Sequence, residues 1–560
     1  MYIRKIERKN KDGSLTTYIQ LAHNHWNPDK RRSETKVLFH LGRLEEVDLA
    51  GLERLMKSIA RFLGPEEAAK LAASSQGLRF IESRPYGGAW LLDRLWNKTG
   101  IRQAIDTLLT RRSFAAPMER ALFAMVANRA LAPSSKLAME DWVEHEAAIP
   151  QLPCIAVHQL YRAMDVLLSA QDELQHEVFF QVSHLMNLEV DLLYFDTTST
   201  YFETEPEEEP DPRQSLRHCG YSKDHRPDLP QVVIGLAVTR EGIPVRVWVW
   251  PGQTADMSVV PQVKQDLIGW KLGRVITVCD RGFVSEDNLK TLQRGGGHYI
   301  VGEKLRSGKT SVEDALSRPG RYKTVKDNLA VKEVIVGNGE ARKRYILAHN
   351  PDQEIKDCKH REKRLDALRA ELEQLGDLKG EPHTKAVCRL VSHVSYAKYL
   401  KLDAKGQPKL DKAKVKAEEK LDGKYLILTS DDTLSPEDVA LGYKQLLEVE
   451  SAFRTLKTHL ELRPVYHRLD DRIRAHVLLC WLALLLVRVA EVETKQSWQR
   501  IRFVMNQMHR IHMEGPDGSV VQRTELTKDQ QAILRALGLT EPATVLDFRP
   551  SGCPKTGADS

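Results

Sequence analysis

Cysteine is sparse. The seven in 560 residues (Cys154, Cys219, Cys279, Cys358, Cys388, Cys480 and Cys553) are scattered, odd in number and never spaced as Cys-x-x-Cys. Such a set supports neither a disulfide framework nor a structural zinc site. Long apolar runs are missing too. The longest, Val477–Val487, is eleven residues closed by Arg488. A membrane span needs roughly 18 or more, so the run reads as a buried helix and no membrane is expected as a partner. The opening MYIRKIERKNKDG alternates apolar and polar residues without an apolar h-region or a small-residue cleavage site, which leaves a cytoplasmic address as the expectation. No internal repeat is visible. What is present, 42% hydrophobic and 29% charged residues, excludes disorder along the whole chain. At about 150 residues per domain the length suggests three or four domains.

Net charge is slight, 83 Lys+Arg against 77 Asp+Glu, but it is unevenly placed. Residues 1–43 hold ten Lys/Arg and four Asp/Glu, a surplus equal to that of the whole protein. A basic module on a neutral body suits a polyanion, because phosphate contacts need clustered cations rather than a high total charge. A solvated charged surface is the plainer alternative.

Six segments follow from patterning. Residues 1–43 alternate in period two around a Lys-Asp-Gly-Ser turn and read as a basic β-meander. Residues 44–187 are helical, a candidate DNA-binding region; NRALAPSSKLAMEDWV within them admits a helix–turn–helix or an ordinary helical hairpin. Residues 188–304 carry strands at Val190–Asp196, Val232–Val238, Val245–Trp250, Val275–Cys279 and Tyr299–Val301, with helices at about Met257–Leu267 and Glu286–Leu292. Residues 305–430 interrupt this with an apparent hairpin, a charged helix striped by Leu365, Leu368, Leu372 and Leu375, and a Lys-rich stretch, and read as an insertion domain. Residues 431–490 resume with one long helix, about Pro436–His459. Residues 491–560 read as helices ending in a disordered tail.

Two carboxylates stand at strand ends. Asp196 closes VDLLYFD, and Asp280 follows the strand of VITVCDRGF, ahead of Arg281. Ligands bind at that edge of an open α/β sheet, so neighbouring strands would let the two share a site; singly, each is more often a turn former or a cap. On the long helix, Tyr443, Glu450 and Lys457 recur every seven residues and share one stripe, with Arg454 on the same face. Leu446, Val449, Phe453 and Leu456 supply a separate packing face. The plain alternative is a surface helix with i,i+4 ion pairs.

Together, FDTTSTYFE, VCDRGF and Tyr443, Glu450 and Lys457 followed by LRPVYH resemble the DDE transposases of bacterial insertion sequences, over about Leu192 to His476. The helix resembles their YREK subgroup, whose pattern is Tyr, two residues, Arg, three residues, Glu, six residues, Lys. Here Leu446 stands at the Arg position, and Arg454 is the candidate substitute. The resemblance implies a multidomain α/β protein with a ribonuclease H-like core, a mixed five-stranded sheet with the first Asp on strand one, the second after the neighbouring strand four, and the Glu on a late helix beyond an insertion. It implies that Asp196, Asp280 and Glu450 hold two Mg²⁺ ions, with Mn²⁺ as a substitute, about 3.5–4 Å apart. Three carboxylates suit this work because hard cations take oxygen ligands, and phosphoryl transfer builds negative charge on the attacking and leaving oxygens. Double-stranded DNA is the implied partner, both the terminal inverted repeats and the target, gripped by Lys457 and Arg454 and contacted by Tyr443, Arg463, His467 and Arg281. A homodimer in synapsis and a bacterial cytoplasmic, nucleoid-associated location complete the expectation. Two readings compete: a catalytically inactive DNA-bridging protein of the same descent, and a stand-alone ribonuclease H-like nuclease.

Weaker candidates surround these. Asp256 in PGQTADM either supports the metal site or, more plainly, caps the helix from Met257. Trp248 and Trp250 read as packing, Glu203–Asp211 as a solvated acidic loop, and His218, Tyr221, Lys223 and Arg468 as lining for a DNA path. GEKLRSGKT has five residues where a P-loop has four, and His23-Asn24-His25 lacks further ligands at zinc spacing, so neither marks a nucleotide or metal site.

Overall fold

The structure is a computed structural model that describes residues 2–550, apart from 12, 29–30, 49, 53–54, 56–78, 111–117, 189–190, 204–214, 271, 273–274 and 516–517. The chain divides into two compact units. One consists of residues 1–82, 511–522 and 545–560. It contains the expected basic meander, antiparallel strands β1 (Tyr2–Lys9), β2 (Leu15–Asn27) and β3 (Arg32–Arg43). Gly13 takes φ 88° in the first turn, a region open to glycine at no steric cost. Strands Val545–Pro550, Gly518–Arg523, His509–Gly515 and Arg79–Pro85 form a four-stranded sheet in that order. All four lie in segments read from the sequence as helical. Short alternating runs such as His509–Gly515 become strands when a partner satisfies their backbone, which local pattern does not reveal.

The other unit, residues 83–510 and 523–544, is built on one mixed sheet. Its strands are β4 (Leu192–Tyr201), β5 (Gln231–Val238), β6 (Pro244–Pro251), β7 (Ile276–Cys279), β8 (His298–Glu303), β9 (Lys323–Lys326), β10 (Leu329–Val336), β11 (Lys343–His349) and β12 (Lys424–Thr429). Their spatial order is β9-β10-β11-β12-β8-β7-β4-β5-β6. β5 pairs antiparallel with both β4 and β6, and on the other side of β4 the strands β7 and β8 continue in parallel. The sheet therefore has nine strands, not five. The extra four come from the segment read as an insertion, whose β12 pairs antiparallel with β8 and so prolongs the sheet. A strand's own residues do not say whether its partner is local or distant, which is why this extension is invisible in the pattern.

Every residue of β5 is buried, the near-continuous apolar reading of a strand covered on both faces. Successive residues of β4 feed two cores, Leu192 and Tyr194 one, Leu193 and Phe195 the other, as period-two alternation requires. Trp248 and Trp250 stack at 6.2 Å on the second face, with their indole N–H groups donating to Asp266 and Gln262. Helix α1 (Asp256–Ile268) lies on that face, and helices α2 (Pro436–Lys444), α3 (Leu447–Thr458) and α4 (Asp470–Thr494) contribute to the first core. α4 is long and apolar enough to cross a membrane, yet 83% of its apolar window is buried within the protein, so it is the central core helix foreseen in Val477–Val487. The candidate helix–turn–helix is different from its reading: helix Met118–Leu131 is buried from Met118 through Ala130, and after Pro133 only the three-residue turn Met139–Asp141 and a π-type turn follow. The first member of such a pair offers no exposed face to a groove, and the exposed side chains of the second include the acidic Asp141, Glu144 and Glu146. Beside it, Arg120 binds Glu119 through two nitrogens and Asp93 at 2.7 Å, and Glu119 also accepts from the Trp96 indole at 2.7 Å, all within the core.

Cationic groups crowd where α4 meets helix Met118–Leu131. Lys136 is 4% exposed, and burial, then Arg129, pull its ammonium down to about 7 from the ordinary 10.5. His467 is 8% exposed and pushed down to about 3 from 6.5 by burial, then by Lys136, Arg472 and Arg129. Both groups bind protons less readily folded than unfolded, so stability rises with pH wherever the unfolded chain holds the extra proton. Stability is therefore expected to fall as pH drops from 6.5 toward 3 through His467, and from 10.5 toward 7 through Lys136. Urea unfolding across pH should show Lys136→Met flattening the alkaline limb and His467→Gln the acid limb; unchanged slopes would refute the assignment.

Candidate active site

Register builds the centre of the site. β4 and β7 are parallel with Phe195 opposite Cys279, so the next residues, Asp196 and Asp280, sit side by side where β7 stops. Asp280 lies at that strand's end as expected. Asp196 does not end its strand, which continues through Tyr201. It is the termination of β7 that opens the edge. Asp196 shares the face of Tyr194, the face on which α3 packs against β4. Burial pushes its carboxyl up to about 6; Lys223 and the Thr197 N–H pull the other way, while Asp256 and Asp280 add to the rise.

Asp256 belongs to this group. It is the first residue of α1, whose N-cap is Ala255, and its carboxylate accepts from Thr197 Oγ1 at 2.5 Å instead of capping the helix. Lys223 reaches in from the segment before β5: its Nζ donates to Thr197 O at 2.7 Å and to Thr197 Oγ1 at 2.6 Å, and lies 3.2 Å from Asp256 and 3.8 Å from Asp196. The cap reading of Asp256 is thus overturned by a tertiary partner fifty-nine residues away.

The heptad stripe does not survive as one helix. The backbone turns at Gln445 and Leu446, ending α2 and starting α3. Gln445 is held there by Tyr194, whose hydroxyl donates to its side chain at 2.8 Å, and Leu446 is buried. The stripe's members consequently do separate things. Tyr443 donates to Asp280 Oδ1 at 3.1 Å and lies over Gly302, where any Cβ would collide with its hydroxyl. Glu450 is exposed on α3. Lys457 donates to Asp224 at 2.9 Å, and Arg463 lies 2.9 Å from the other oxygen of the same carboxylate while stacking on Tyr201 at 5.1 Å. Burial lowers the Lys457 ammonium, and Asp224 opposes that shift.

Arg281 and Arg454 are exposed, and Leu446 fills a core position rather than an Arg role. His467 is turned inward, with its ring edge-on to Tyr161. Residues 204–211 of the acidic run, and the final ten residues read as a disordered tail, lie outside the described residues. The donor set around Asp196 is chemically suited to a hard cation: oxygen ligands, partly buried, with Lys223 as the ammonium among them. Among the described residues, however, no three His, Cys, Asp or Glu side chains converge into a ready cage. Lys223, Asp224 and Asp256 were underweighted in the sequence; the signal was their charge beside the HCGYSKDHRPD and PGQTADM turns.

Residues 199–486, just over half the chain, match the family described as the transposase DDE domain. The chain belongs to the DDE transposases. The matched stretch includes Asp280 and Glu450 and begins three residues after Asp196. Residues 3–70 match the N-terminal domain of the IS1634 family transposases. No curated protein matches the transposase. Among solved structures it is similar to a piggyBac transposase synaptic complex with hairpin DNA, at a TM-score of 0.34 and 10% identity over 75% of this chain and 79% of that one, a likeness too distant to inform the site. The protein is thus a DNA transposase of the insertion-sequence type, an enzyme that cleaves and transfers DNA strands.

Proposed function

We propose that the transposase cuts at the terminal inverted repeats of its own element and joins the freed 3′-hydroxyls to target DNA, with Asp196, Asp280 and Glu450 as its three carboxylates. The observation that supports this most is the register that sets Asp196 beside Asp280 at the end of β7. The order β6-β5-β4-β7-β8, three antiparallel strands and then two parallel ones, supports a ribonuclease H-like core within the larger sheet. Asp196 and Asp280 would hold divalent metal, Mg²⁺ with Mn²⁺ as substitute, and Glu450 would complete the set from α3. Bound there, two such ions supply charge stabilisation to the attacking and leaving oxygens.

The chain's own groups do the rest. Tyr443 orients the Asp280 carboxylate by donating to it, and Asp256 holds Thr197 beside Asp196. Lys457 and Arg463 present cations at the near edge, and Arg281 and Arg454 extend them at the exposed surface for DNA phosphates. His467, being buried, is left out of that grip. Membership of the YREK subgroup fits Tyr443, Glu450 and Lys457 but not Leu446. The modules at 1–43, 44–187 and 305–430 would bind the element ends, two protomers would synapse them, and a cytoplasmic, nucleoid-associated location suits such a partner.

The test is a labelled duplex carrying the inverted repeat that flanks the gene, incubated with Mg²⁺ and target plasmid. Joined products with a target duplication of fixed length are expected. Cleavage without joining would favour the nuclease, and binding without cleavage the bridging protein. Deleting residues 1–43 should weaken end binding about tenfold or more near 0.15 M salt and flatten the dependence of affinity on salt, as loss of ten Lys/Arg implies. Unchanged affinity and slope in a fluorescence anisotropy titration would remove the basic meander from the DNA interface.

A further inference from the structure

Two consecutive residues of opposite charge hold the two poles of the site. Lys223 places its ammonium between the carboxylates of Asp196 and Asp256, and Asp224 places its carboxylate between Lys457 and Arg463. The side chains of Asp224 and Lys457 are 13% and 15% exposed, so this is an enclosed pairing and not a surface one. The segment is anchored between them: the Lys223 N–H donates to Ser199 Oγ at 2.9 Å, on β4 itself.

Charge pattern is the informative feature. A scissile phosphate with its metal presents a cation to the acidic pole and anionic oxygens to the basic one. Lys223 and Asp224 present the same two charges, adjacent in the chain, to the same two sets of side chains. We infer that this dipeptide is an internal surrogate for the metal and the phosphate, and that it must withdraw for DNA and metal to enter together. The inference rests on the reading of Asp196 as a metal ligand and of Lys457 and Arg463 as phosphate contacts. Lys223 and Asp224 are, in this role, positioning residues: they keep four charged side chains paired and in place before substrate arrives, and they set how tightly metal and DNA bind.

The surrogate competes with what it imitates, so removing either charge should tighten binding. With the full-length protein and no DNA, Mn²⁺ titrated by electron paramagnetic resonance should bind Lys223→Met about tenfold or more tightly than wild type, since an ammonium about 4 Å from a ligand opposes a second cation there. In the absence of metal, Asp224→Asn should bind an unrelated duplex about tenfold more tightly, with log affinity against log salt steeper by about 2, one counterion for each cation released from the pair. A merely structural role for either residue would move both affinities the other way or not at all, and either of those outcomes overturns the inference.

Should Asp224→Asn fail to fold, the wild-type protein decides. Hydrogen exchange at the Lys223 amide should accelerate when the inverted-repeat duplex and non-cleaving Ca²⁺ are added together; slower or unchanged exchange refutes withdrawal. Asp196→Asn separates this inference from the reading beneath it. If wild-type Mn²⁺ binding is insensitive to that change, the metal-site reading falls and the surrogate with it. If it is sensitive and Lys223→Met binds no more tightly, the surrogate alone falls.

Discussion

Asp280→Asn is expected to end strand cleavage at the transposon end, a loss on the order of a thousandfold or more, while leaving the melting temperature within a few degrees and end binding within a few-fold of wild type. The substitution is nearly isosteric, and the amide oxygen can still accept the Tyr443 hydroxyl that now donates to Asp280 at 3.1 Å. What it removes is the negative charge at the end of β7. DNA affinity comes from cations that neutralise phosphates, so losing one carboxylate should not weaken it. Single-turnover cleavage and anisotropy with the same duplex check both halves. Residual cleavage near a tenth of wild type, or loss of end binding together with cleavage, would sink the role given to Asp280. Glu450→Gln should behave alike. Being exposed on α3, Glu450 leaves the fold unaffected, and its loss tests whether α3 supplies a carboxylate once DNA is engaged.

Arg120→Met should be the most damaging single change to stability, about 3–5 kcal/mol, read from the urea midpoint at constant slope. Arg120 is 5% exposed and binds two carboxylates, Glu119 and Asp93, that are themselves buried. Removing the guanidinium strands both, and desolvated charge without a partner costs far more than the intact pairing contributes. The Trp96 indole donated to Glu119 cannot replace a full positive charge. Adding Glu119→Gln to the variant should recover part of the loss, because it removes one stranded charge. A single-variant cost below about 1 kcal/mol would mean that water or Arg102, 3.9 Å from Glu119, takes over the pairing.

Much of the central sheet was legible because its strands are short apolar runs bounded by turn residues. Gln231–Val238 and Ile276–Cys279 fall where the runs fall, within a residue, and Leu192–Tyr201 starts within its run but continues five residues past Asp196. The neighbourhood of Asp196 and Asp280 followed from strand order, and the register supplies it. Three features were hidden for one physical reason: tertiary partners outweighed local preference. YKQLLEVE contains no Gly or Pro, so nothing local foretold the turn at Gln445 and Leu446, which depends on Tyr194 far away. Asp256 stands where caps stand, yet Thr197 takes its carboxylate. Lys223 read as lining for a DNA path and Asp224 as an ordinary loop charge, and only the fold shows that they face opposite poles.

The arm that follows β11 leaves and re-enters the sheet at one point. His349 pairs with Lys424, and the Asn350 N–H donates to Gly423 O at 2.8 Å, so everything between hangs from neighbouring ends. That arm, helices Pro351–Gly376, Glu381–Ser392 and Lys412–Glu419 with the small ribbon Leu400–Leu402 and Pro408–Leu410, has its own apolar core around Leu368, Leu390 and Tyr399. In effect β11 and β12 are a hairpin whose turn has grown into a module. Lengthening, shortening or exchanging such a turn costs the sheet almost no closure entropy, since the two ends are already joined by the ladder. Natural variation can therefore rewrite what the arm recognises, one transplant at a time, while the chemistry two strands away is inherited unchanged.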